Sequence, residues 1–272
     1  MKLEFVKMHG LGNDFILLDD PSGDLGLSPD GIRFLCDRHF GIGADGVITV
    51  SPSDRADLKM RTFNSDGSEA EMCGNGIRCF ALHARDRGLL SGPEMSVETL
   101  AGIIRPRIEG DQVSVDMGQP RFAAEKVPVA LPGEVIDRPA VFAGRKLEIT
   151  CVSIGNPHCV IFWSSEEEPP VAELGPVIET DPLFPEKTNV EFIRVLNDRE
   201  LDFRVWERGA GMTLACGTGA CAALAAAART GRTGREARVH LAGGDLEIEW
   251  RADNHIFMSG PAVEVYRGVI EI

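Results

Sequence analysis

The chain has 272 residues, of which 43% are hydrophobic, so it can bury a core for one large domain or two of ordinary size. Its 42 acidic and 28 basic residues give a formal charge of −14, which argues against a nucleic-acid or anionic-membrane partner. Seven cysteines, an odd number, and a start without an apolar signal segment predict free thiols in a reducing, cytoplasmic setting.

Short apolar or alternating runs predict strands in the first half of the chain. These predicted strands are 3–7, 15–19, 46–50 and 58–63. A helix is predicted to begin after Ser28, a capping residue followed by proline, and to end at Gly41. A second helix is predicted from Gly74 to Arg87, with Gly88 as its stop.

The second half shows the same kinds of signal. The predicted elements are a short helix at 171–179, a strand at 201–206 and a helix from Gly217 to Thr230 that Gly231 stops. Segment 164–170 is predicted to be a surface loop, and the stretch 118–140, rich in proline and glycine, to be a boundary. The last strand, 263–270, could return to either half. The predicted fold class is therefore mixed α+β, with strands in excess.

An internal repeat organises these elements. Residues 73–88 (CGNGIRCFALHARDRG) and 216–231 (CGTGACAALAAAARTG) are two versions of one unit, 143 residues apart. The same shift maps Gly12-Asn13 onto Gly155-Asn156. The chain is therefore interpreted as a duplication of one half-domain. We expect an N-terminal half, 1–117, which carries Cys73 and which the C-terminal strand 262–272 joins, and a C-terminal half, 118–261, which carries Cys216.

Each half presents one cysteine, Cys73 or Cys216, at the start of a predicted helix. Backbone N–H groups and the positive end of the helix dipole stabilise a thiolate there, so we expect lowered thiol pKa values. Glycines at the next position and at the third let a ligand approach those N–H groups, which form an anion site. One such cysteine is more often a buried structural residue. Two in register favour a pair of catalytic thiols, one that removes a proton and one that returns it from the opposite side.

Rival chemistries fit the spacing less well. Cys73 and Cys79 are six residues apart and Cys216 and Cys221 are five apart, unlike the C-x-x-C of disulfide exchange. The other five cysteines are interpreted as small buried hydrophobic residues. The six histidines show no zinc-ligand spacing, so no metal site is predicted. The glycine-rich run 41–46 leads into a strand and so fails as a dinucleotide fingerprint.

Five segments together resemble the diaminopimelate epimerase family. They are MHGLGNDF (8–15), FNSDGSEAEMCGNGIRCF (63–80), GNPHCVIF (155–162), TNVEF (188–192) and WERGAGMTLACGTGACAA (206–223). The resemblance implies interconversion of LL- and meso-2,6-diaminopimelate in lysine and cell-wall precursor biosynthesis, with no cofactor, neither pyridoxal phosphate nor metal. It also implies two pseudo-symmetric halves, each a strand-rich barrel around a central helix, with the active site between them, and a homodimer.

The resemblance also assigns roles to single residues. Cys73 and Cys216 match the family's two catalytic thiols. The residues that match its substrate contacts are Asn13, Asn64, Gly74, Asn75, Asn156, Asn189, Glu207, Arg208, Gly217 and Thr218. His158 and Glu207 match polar groups that support the thiols. Arg208 also suits a distal carboxylate, because a guanidinium pairs with it in bidentate fashion.

Two positions depart from the family pattern, and two other functions stay open. Gly46 stands where some members carry a glutamine that touches substrate, and Met212 stands where many have glutamate. A proline or hydroxyproline racemase would use the same two thiols, although a cyclic monocarboxylate offers Arg208 no distal charge. A non-catalytic binder of small carboxylates would use the same helix starts.

Overall fold

The computed structural model describes residues 2–90 and 92–272 and divides into two compact units. The first unit comprises the chain up to Asp116 together with Ser259–Ile272, and the second is Met117–Met258. Both units are rich in strands and poor in helix, which confirms the predicted mixed α+β class. Within the described residues, no helix is both long enough and apolar enough to cross a membrane.

The elements follow one another in chain order. The first strands are β1 Lys2–Gly10, β2 Asn13–Asp19, β3 Gly46–Ser51, β4 Leu58–Asn64, β5 Glu69–Ala70, β6 Val97–Thr99, β7 Gly102–Ile104, β8 Arg107–Glu109 and β9 Gln112–Asp116. The later strands are β10 Arg138–Phe142, β11 Arg145–Ser153, β12 Pro157–Phe162, β13 Asn189–Asn197, β14 Glu200–Glu207, β15 Gly211–Met212, β16 Glu236–Leu241, β17 Gly244–Trp250, β18 Ile256–Pro261 and β19 Val263–Glu271. The helices are α1 Pro29–Cys36, α2 Gly74–Asp86, α3 Val171–Glu179 and α4 Gly217–Arg229, with a short 3₁₀ turn at Ala124–Lys126.

The two units share one strand order. In the first, the sheet runs β19-β1-β2-β3-β4-β6-β7, with β5 on β4; the corresponding part of a second, 11-stranded sheet runs β10-β11-β12-β13-β14-β16-β17, with β15 on β14. The register repeats as well: Phe15 lies opposite Gly46 in one parallel pair, and His158 lies opposite Asn189 in the other. Every position in the second pair is 143 residues beyond its counterpart in the first, so the duplication extends from sequence to hydrogen bonding.

The terminal strand β19 pairs antiparallel with β1. It therefore belongs to the sheet of the first unit, the half that the strand 262–272 was expected to join. In the second unit the equivalent edge is filled by β10, which pairs antiparallel with β11.

The two long helices match their predicted bounds to within one residue. In both, the cysteine before the helix is in the extended conformation, and the glycine after it takes a left-handed conformation, with φ of 69° at Gly88 and 73° at Gly231. Glycine adopts such a φ without a steric cost, so it ends a helix readily. The alanine-rich run of α4 is buried against β11, β12, β13, β14, β16 and β17, and α2 is likewise packed on the strands of its own unit.

Helix α1 is shorter than predicted. Ser28 caps it as expected by accepting a hydrogen bond from the Gly31 N–H at 3.1 Å, but the helix ends at Cys36 rather than Gly41. The backbone at Asp37 is extended, and its carboxylate accepts hydrogen bonds from the N–H groups of His39 and Phe40. Such local bonds from an aspartate compete with the helical pattern and terminate it.

Candidate active site

The first candidate half-site is built around Cys73, which caps the N-terminus of α2. Its sulfur accepts a hydrogen bond from the Gly76 N–H at 3.4 Å, and its thiol faces Asn13 Oδ1 at 3.8 Å. The same Oδ1 accepts a hydrogen bond from Asn75 Nδ2 at 3.2 Å. Cys73 is only partly buried. The structure therefore brings three sequence-predicted residues together at one helix start, with two neutral amides near the thiol.

A charged network behind Asn13 fixes its orientation. Gly12 precedes it with φ of 87°, and Asn13 Nδ2 donates to Asp45 Oδ2 at 2.8 Å. Arg38 in turn donates to both Asp14 and Asp45. Although burial opposes ionisation of Asp14, the hydrogen bonds and charges of Arg38 and Lys7 hold its pKa far below the usual range. The Asn13 carbonyl oxygen is thereby left to face α2.

Asn64, the last residue of β4, is exposed, and its Nδ2 donates to Ser68 Oγ at 2.9 Å. Asn64 thus belongs to the turn between β4 and β5. None of its side-chain hydrogen bonds in the described structure joins it to Cys73.

The second candidate half-site is built around Cys216, which caps α4 and is only 4% exposed. Its sulfur lies 3.6 Å from Thr218 Oγ1, and that hydroxyl accepts a hydrogen bond from Asn156 Nδ2 at 3.3 Å. A Cβ atom on Gly219 would stand 3.1 Å from both the Cys216 sulfur and Glu191 Oε1. A side chain at this position would therefore crowd the thiol and the Glu191 carboxyl.

The expectation of a lowered thiol pKa is wrong for Cys216. Burial raises its pKa well above the ordinary value, and the nearby carboxylate of Glu207 raises it further. Loss of water around the sulfur and a negative charge beside it both disfavour the thiolate, and together they outweigh the helix dipole. Glu207 is itself held by a hydrogen bond from the Thr213 hydroxyl, so its carboxylate is fixed near the thiol.

His158 is fully buried and bonded at both ring nitrogens. Its Nδ1 lies 2.6 Å from Glu191 Oε1, and its Nε2 lies 2.9 Å from Asn156 Oδ1. Sequence reasoning assigned His158 and Asn156 to the site but missed Glu191. The available signal was a glutamate between Val190 and Phe192 in a strand whose other residues there are apolar, since a lone buried carboxylate needs a partner.

Asn189 and Arg208 are joined through main-chain groups. Asn189 Nδ2 donates to the Pro157 carbonyl at 2.8 Å, and its Oδ1 accepts from the Arg208 N–H at 2.9 Å. The Arg208 guanidinium is exposed and donates to the Glu186 carbonyl at 3.1 Å. The amide therefore fixes the turn that presents Arg208, whose charged group remains accessible.

The space around the first helical residue differs between the two half-sites. Gly217 is buried, and a Cβ atom there would lie 2.9 Å from Met258 Sδ. Gly74 is only partly buried. At Gly46 a Cβ atom would lie 2.5 Å from the Phe63 carbonyl oxygen, so a side chain at this position would require the backbone to shift. Met212 is 59% exposed and lies opposite Trp206.

The remaining cysteines are buried, as predicted, and all seven cysteines are free thiols. Burial raises the pKa of Cys79 to about 12, which leaves it unreactive near neutral pH. Among residues 2–90 and 92–272, no group of three or more histidine, cysteine or acidic side chains is placed to hold a metal ion.

Comparison with known sequences identifies close relatives over the full chain. The sequence model of the diaminopimelate epimerase family matches residues 5–123 and 150–265. Diaminopimelate epimerase of Moorella thermoacetica is 57% identical, with 98% of each chain covered. That of Desulfitobacterium hafniense is 54% identical over 98% of each chain, and that of Synechocystis is 53% identical over 100% of each.

Solved structures with the same fold are more distant in sequence. A phenazine biosynthesis protein of the PhzF family from Bacillus anthracis aligns with a TM-score of 0.73 at 20% identity, with 100% of each chain covered. A hydroxyproline epimerase from Agrobacterium vitis aligns with a TM-score of 0.68 at 14% identity, covering 99% of this chain and 92% of the other. At these identities the likeness concerns the fold alone.

Proposed function

The chain belongs to the diaminopimelate epimerase family, and we propose that it interconverts LL- and meso-2,6-diaminopimelate with Cys73 and Cys216 as its two bases. The observation that carries this proposal is the full-length identity to diaminopimelate epimerases, together with two cysteines that cap equivalent helices. The chain is accordingly an isomerase with a small-molecule substrate.

The reaction exchanges one hydrogen at one carbon. One thiolate removes the α-proton of the amino acid, and the other thiol delivers a proton to the opposite face, which inverts the centre. An α-hydrogen is a very weak acid, so the negative charge that develops on the carboxylate must be stabilised. Backbone N–H groups at the first turns of α2 and α4 supply fixed donors for it, and each such donor typically contributes roughly 3–4 kcal/mol to transition-state binding.

The unequal thiols suggest a resting state. Cys216, with its raised pKa, holds its proton and is ready to act as the acid, so Cys73 serves first as the base. After turnover the roles are reversed, and the substrate of opposite configuration finds the complementary state. The two thiols therefore titrate as a coupled pair rather than independently.

Substrate recognition uses the polar groups around each thiol. Asn13, Asn75 and Thr218 present amide and hydroxyl groups beside the two helix starts. The exposed guanidinium of Arg208 suits the distal carboxylate by bidentate pairing. Asn64, Asn156, Asn189 and Glu207 complete the proposed contacts. Family membership also supports a cytoplasmic homodimer as part of the proposal.

Solvent deuterium exchange tests the proposed reaction directly. In D₂O, the protein should incorporate deuterium at the α-carbon of diaminopimelate, and proton NMR should show the α-resonance disappear as LL- and meso-forms equilibrate. The same assay on proline and hydroxyproline should give no exchange. Exchange with those substrates instead would favour a racemase of cyclic amino acids, and no exchange with any substrate would leave a carboxylate-binding protein.

A further inference from the structure

The duplication sets a polar pair in one unit against an apolar pair in the other. His158 and Glu191 of the second unit occupy the positions that Phe15 and Ile48 occupy in the first, 143 residues earlier on equivalent strands. All four side chains are almost fully buried. A shared scaffold thus packs these positions with hydrocarbon beside one cysteine and with a histidine and a carboxyl beside the other.

The polar pair has no evident benefit for stability. Taking two ionisable groups out of water is costly, and apolar residues of similar volume commonly replace a buried pair with no loss. The first unit provides such a replacement within the same fold, with Ile48 fully buried and Phe15 4% exposed. The second unit therefore keeps His158 and Glu191 for a reason other than packing.

Hydrogen bonds connect this pair to the thiol. Glu191 Oε1 lies 2.6 Å from His158 Nδ1, and His158 Nε2 lies 2.9 Å from Asn156 Oδ1. Asn156 Nδ2 donates to Thr218 Oγ1 at 3.3 Å, and Thr218 Oγ1 lies 3.6 Å from the Cys216 sulfur. Each contact orients the next, from the core of β13 to the start of α4.

The same contacts fix the protons of the pair. The Asn156 oxygen can only accept, so His158 Nε2 carries a hydrogen. The Nδ1 contact then needs a second proton, held by the ring or by Glu191. Either way the pair carries no net charge, and with the proton on Glu191 neither group is charged, which lowers the cost of burial. Burial raises the pKa of Glu191, in keeping with a proton retained there.

We propose that Glu191 is a positioning residue for the reaction at Cys216. It shares a proton with His158 and fixes that ring, and the ring in turn orients the Asn156 amide and the Thr218 hydroxyl toward the thiol. This inference rests on the proposed function, since it assumes that Cys216 is one of the two bases.

Three variants separate positioning from packing. Glu191→Gln can still donate an N–H to His158 Nδ1 and should keep most of the activity, whereas Glu191→Ile removes the partner and should lower kcat by about 10–100-fold, the loss seen when residues that orient metal-binding histidines are removed. The double variant His158→Phe/Glu191→Ile copies the pair of the first unit. Its melting temperature should equal or exceed that of the unchanged protein, while its kcat stays at least about tenfold low.

The matched control is Asp19→Asn, at a second histidine–carboxylate pair, in which the histidine is buried and the carboxylate is partly exposed. His83 Nε2 lies 2.7 Å from Asp19 Oδ1, at the end of α2 remote from Cys73, and kcat should not change in this variant. Unchanged kcat in the double variant, or an equal loss in Asp19→Asn, would overturn the proposal. So would a loss of melting temperature in the double variant as large as that in Glu191→Ile, because the pair would then serve packing.

Two further measurements keep the proposal and the proposed function apart. Proton NMR of the ¹⁵N-histidine-labelled protein should show a low-field imidazole resonance that disappears in Glu191→Ile; its absence from the unchanged protein would refute the shared proton whatever the reaction is. Cys216→Ala should be inactive in the exchange assay. If it were active, the proposed role of Cys216 would fail, and with it the reaction that Glu191 is inferred to serve.

Discussion

The two helix starts have the same backbone and different chemistry. Cys73 is partly buried and lies among the amides of Asn13 and Asn75. Cys216 is buried, and the carboxylate of Glu207 raises its pKa. The residue equivalent to Glu207 in the first unit is Asn64, again an amide. After duplication, the capping cysteine and its glycines were kept, and the surroundings that set the acidity of each thiol diverged.

This difference has a functional meaning under the proposed mechanism. A two-base reaction needs one thiolate and one thiol at the same time, and two identical half-sites would not favour either arrangement. The carboxylate of Glu207 beside Cys216 biases the proton to that side. The asymmetry therefore selects one resting protonation state. Variants in either half-site can test this inference.

The largest effect is expected from removing either sulfur. Cys73→Ala and Cys216→Ala should each lower kcat by about 10²–10⁴-fold, the usual contribution of a positioned acid or base, because each thiol serves one face of the carbon. Melting temperatures should stay close to that of the unchanged protein. Cys79→Ala is the control: this thiol is fully buried one turn and a half into α2, so its variant should remain active. An equal loss in Cys79→Ala would contradict the assignment.

Local sequence signals predicted the parts of this comparison that the units share. Cys73 and Cys216 as helix caps, and Gly88 and Gly231 as helix stops, follow from capping rules within a few residues of chain. The parts that differ depend on distant segments. The last strand was assigned to the N-terminal half, but its partner β1, at the other end of the chain, was not predicted, because pairing is decided by tertiary packing.

The acidity of Cys216 shows the same limit. The helix start alone predicted a lowered pKa, but Glu207 arrives from β14, and burial comes from the whole unit. Glu191 lay within a recognised motif and was missed because its partner, His158, is 33 residues away in sequence on a neighbouring strand. The identities of the site residues were therefore predictable from the sequence. The pKa of Cys216 and the partner of His158 were not, because they depend on distant segments.

The second expected effect concerns thiol reactivity. At pH 8, iodoacetamide should alkylate Cys73 before Cys216, because Cys216 is 4% exposed and its pKa is raised. Glu207→Gln, which copies the amide at the equivalent position of the first unit, should lower the pKa of Cys216 and speed its alkylation, by up to about tenfold for each pKa unit recovered. Peptide mass spectrometry over time gives both rates.

Two results would contradict this view of the second half-site. Equal initial rates at Cys73 and Cys216 would mean that burial and charge do not distinguish the thiols. An unchanged Cys216 rate in Glu207→Gln, with the Cys73 rate also unchanged, would mean that the carboxylate has no influence on the sulfur. Glu207→Asp is the matched control, since it keeps the charge, and it should leave Cys216 slow to react.

A smaller effect is expected from the His83–Asp19 pair of the first unit, whose equivalent positions in the second unit carry no such pair. The hydrogen bond from His83 is the main cause that lowers the pKa of Asp19, and the charge of Arg87 adds to it. A carboxyl whose pKa is lowered by folding contributes stability above its unfolded pKa of about 3.9, and that contribution is lost as the pH falls through the folded value. Asp19→Asn should therefore cost about 1 kcal/mol at pH 7, since the side chain is 37% exposed, and should cost little at pH 2.

Urea denaturation at pH 7 and pH 2 measures this dependence. The unchanged protein should lose more stability between the two pH values than Asp19→Asn does. An equal loss of stability in the two proteins would show that the His83–Asp19 pair makes no net contribution to the pH dependence of stability. The counterparts of Asp19 and His83 in the second unit are Phe162 and Ala226. Phe162→Tyr adds a hydroxyl there but no carboxylate, so the loss of stability between pH 7 and pH 2 should be the same as in the unchanged protein.

The smallest effect is expected at Met212, where the turns before the two cysteines differ. Its counterpart is Glu69, whose carboxylate accepts two hydrogen bonds from Arg61, at 2.8 and 3.0 Å. The residue equivalent to Arg61 is Arg204, which already donates to Asp202 at 2.6 Å. Arg204 also lies 3.8 Å from Glu168 Oε2, so Met212→Glu would add one more solvent-exposed partner to a paired guanidinium, a change worth about 0–1 kcal/mol and roughly 1–3 °C in melting temperature.

The salt dependence of the melting temperature shows whether the stability gained in Met212→Glu comes from charge or from packing. The catalytic rate shows whether residue 212 also has a role in the site. The gain in Met212→Glu should vanish in 1 M NaCl, where exposed charges are screened within about 3 Å. Met212→Gln, of the same size and uncharged, should show no gain at low salt. The rate should stay within about twofold in both, because the side chain at 212 is 59% exposed and the Cys216 cap is held by α4 itself. A tenfold change in kcat would mean instead that this turn transmits its conformation to the thiol, and the difference between Met212 and Glu69 would then belong to the asymmetry of the two half-sites.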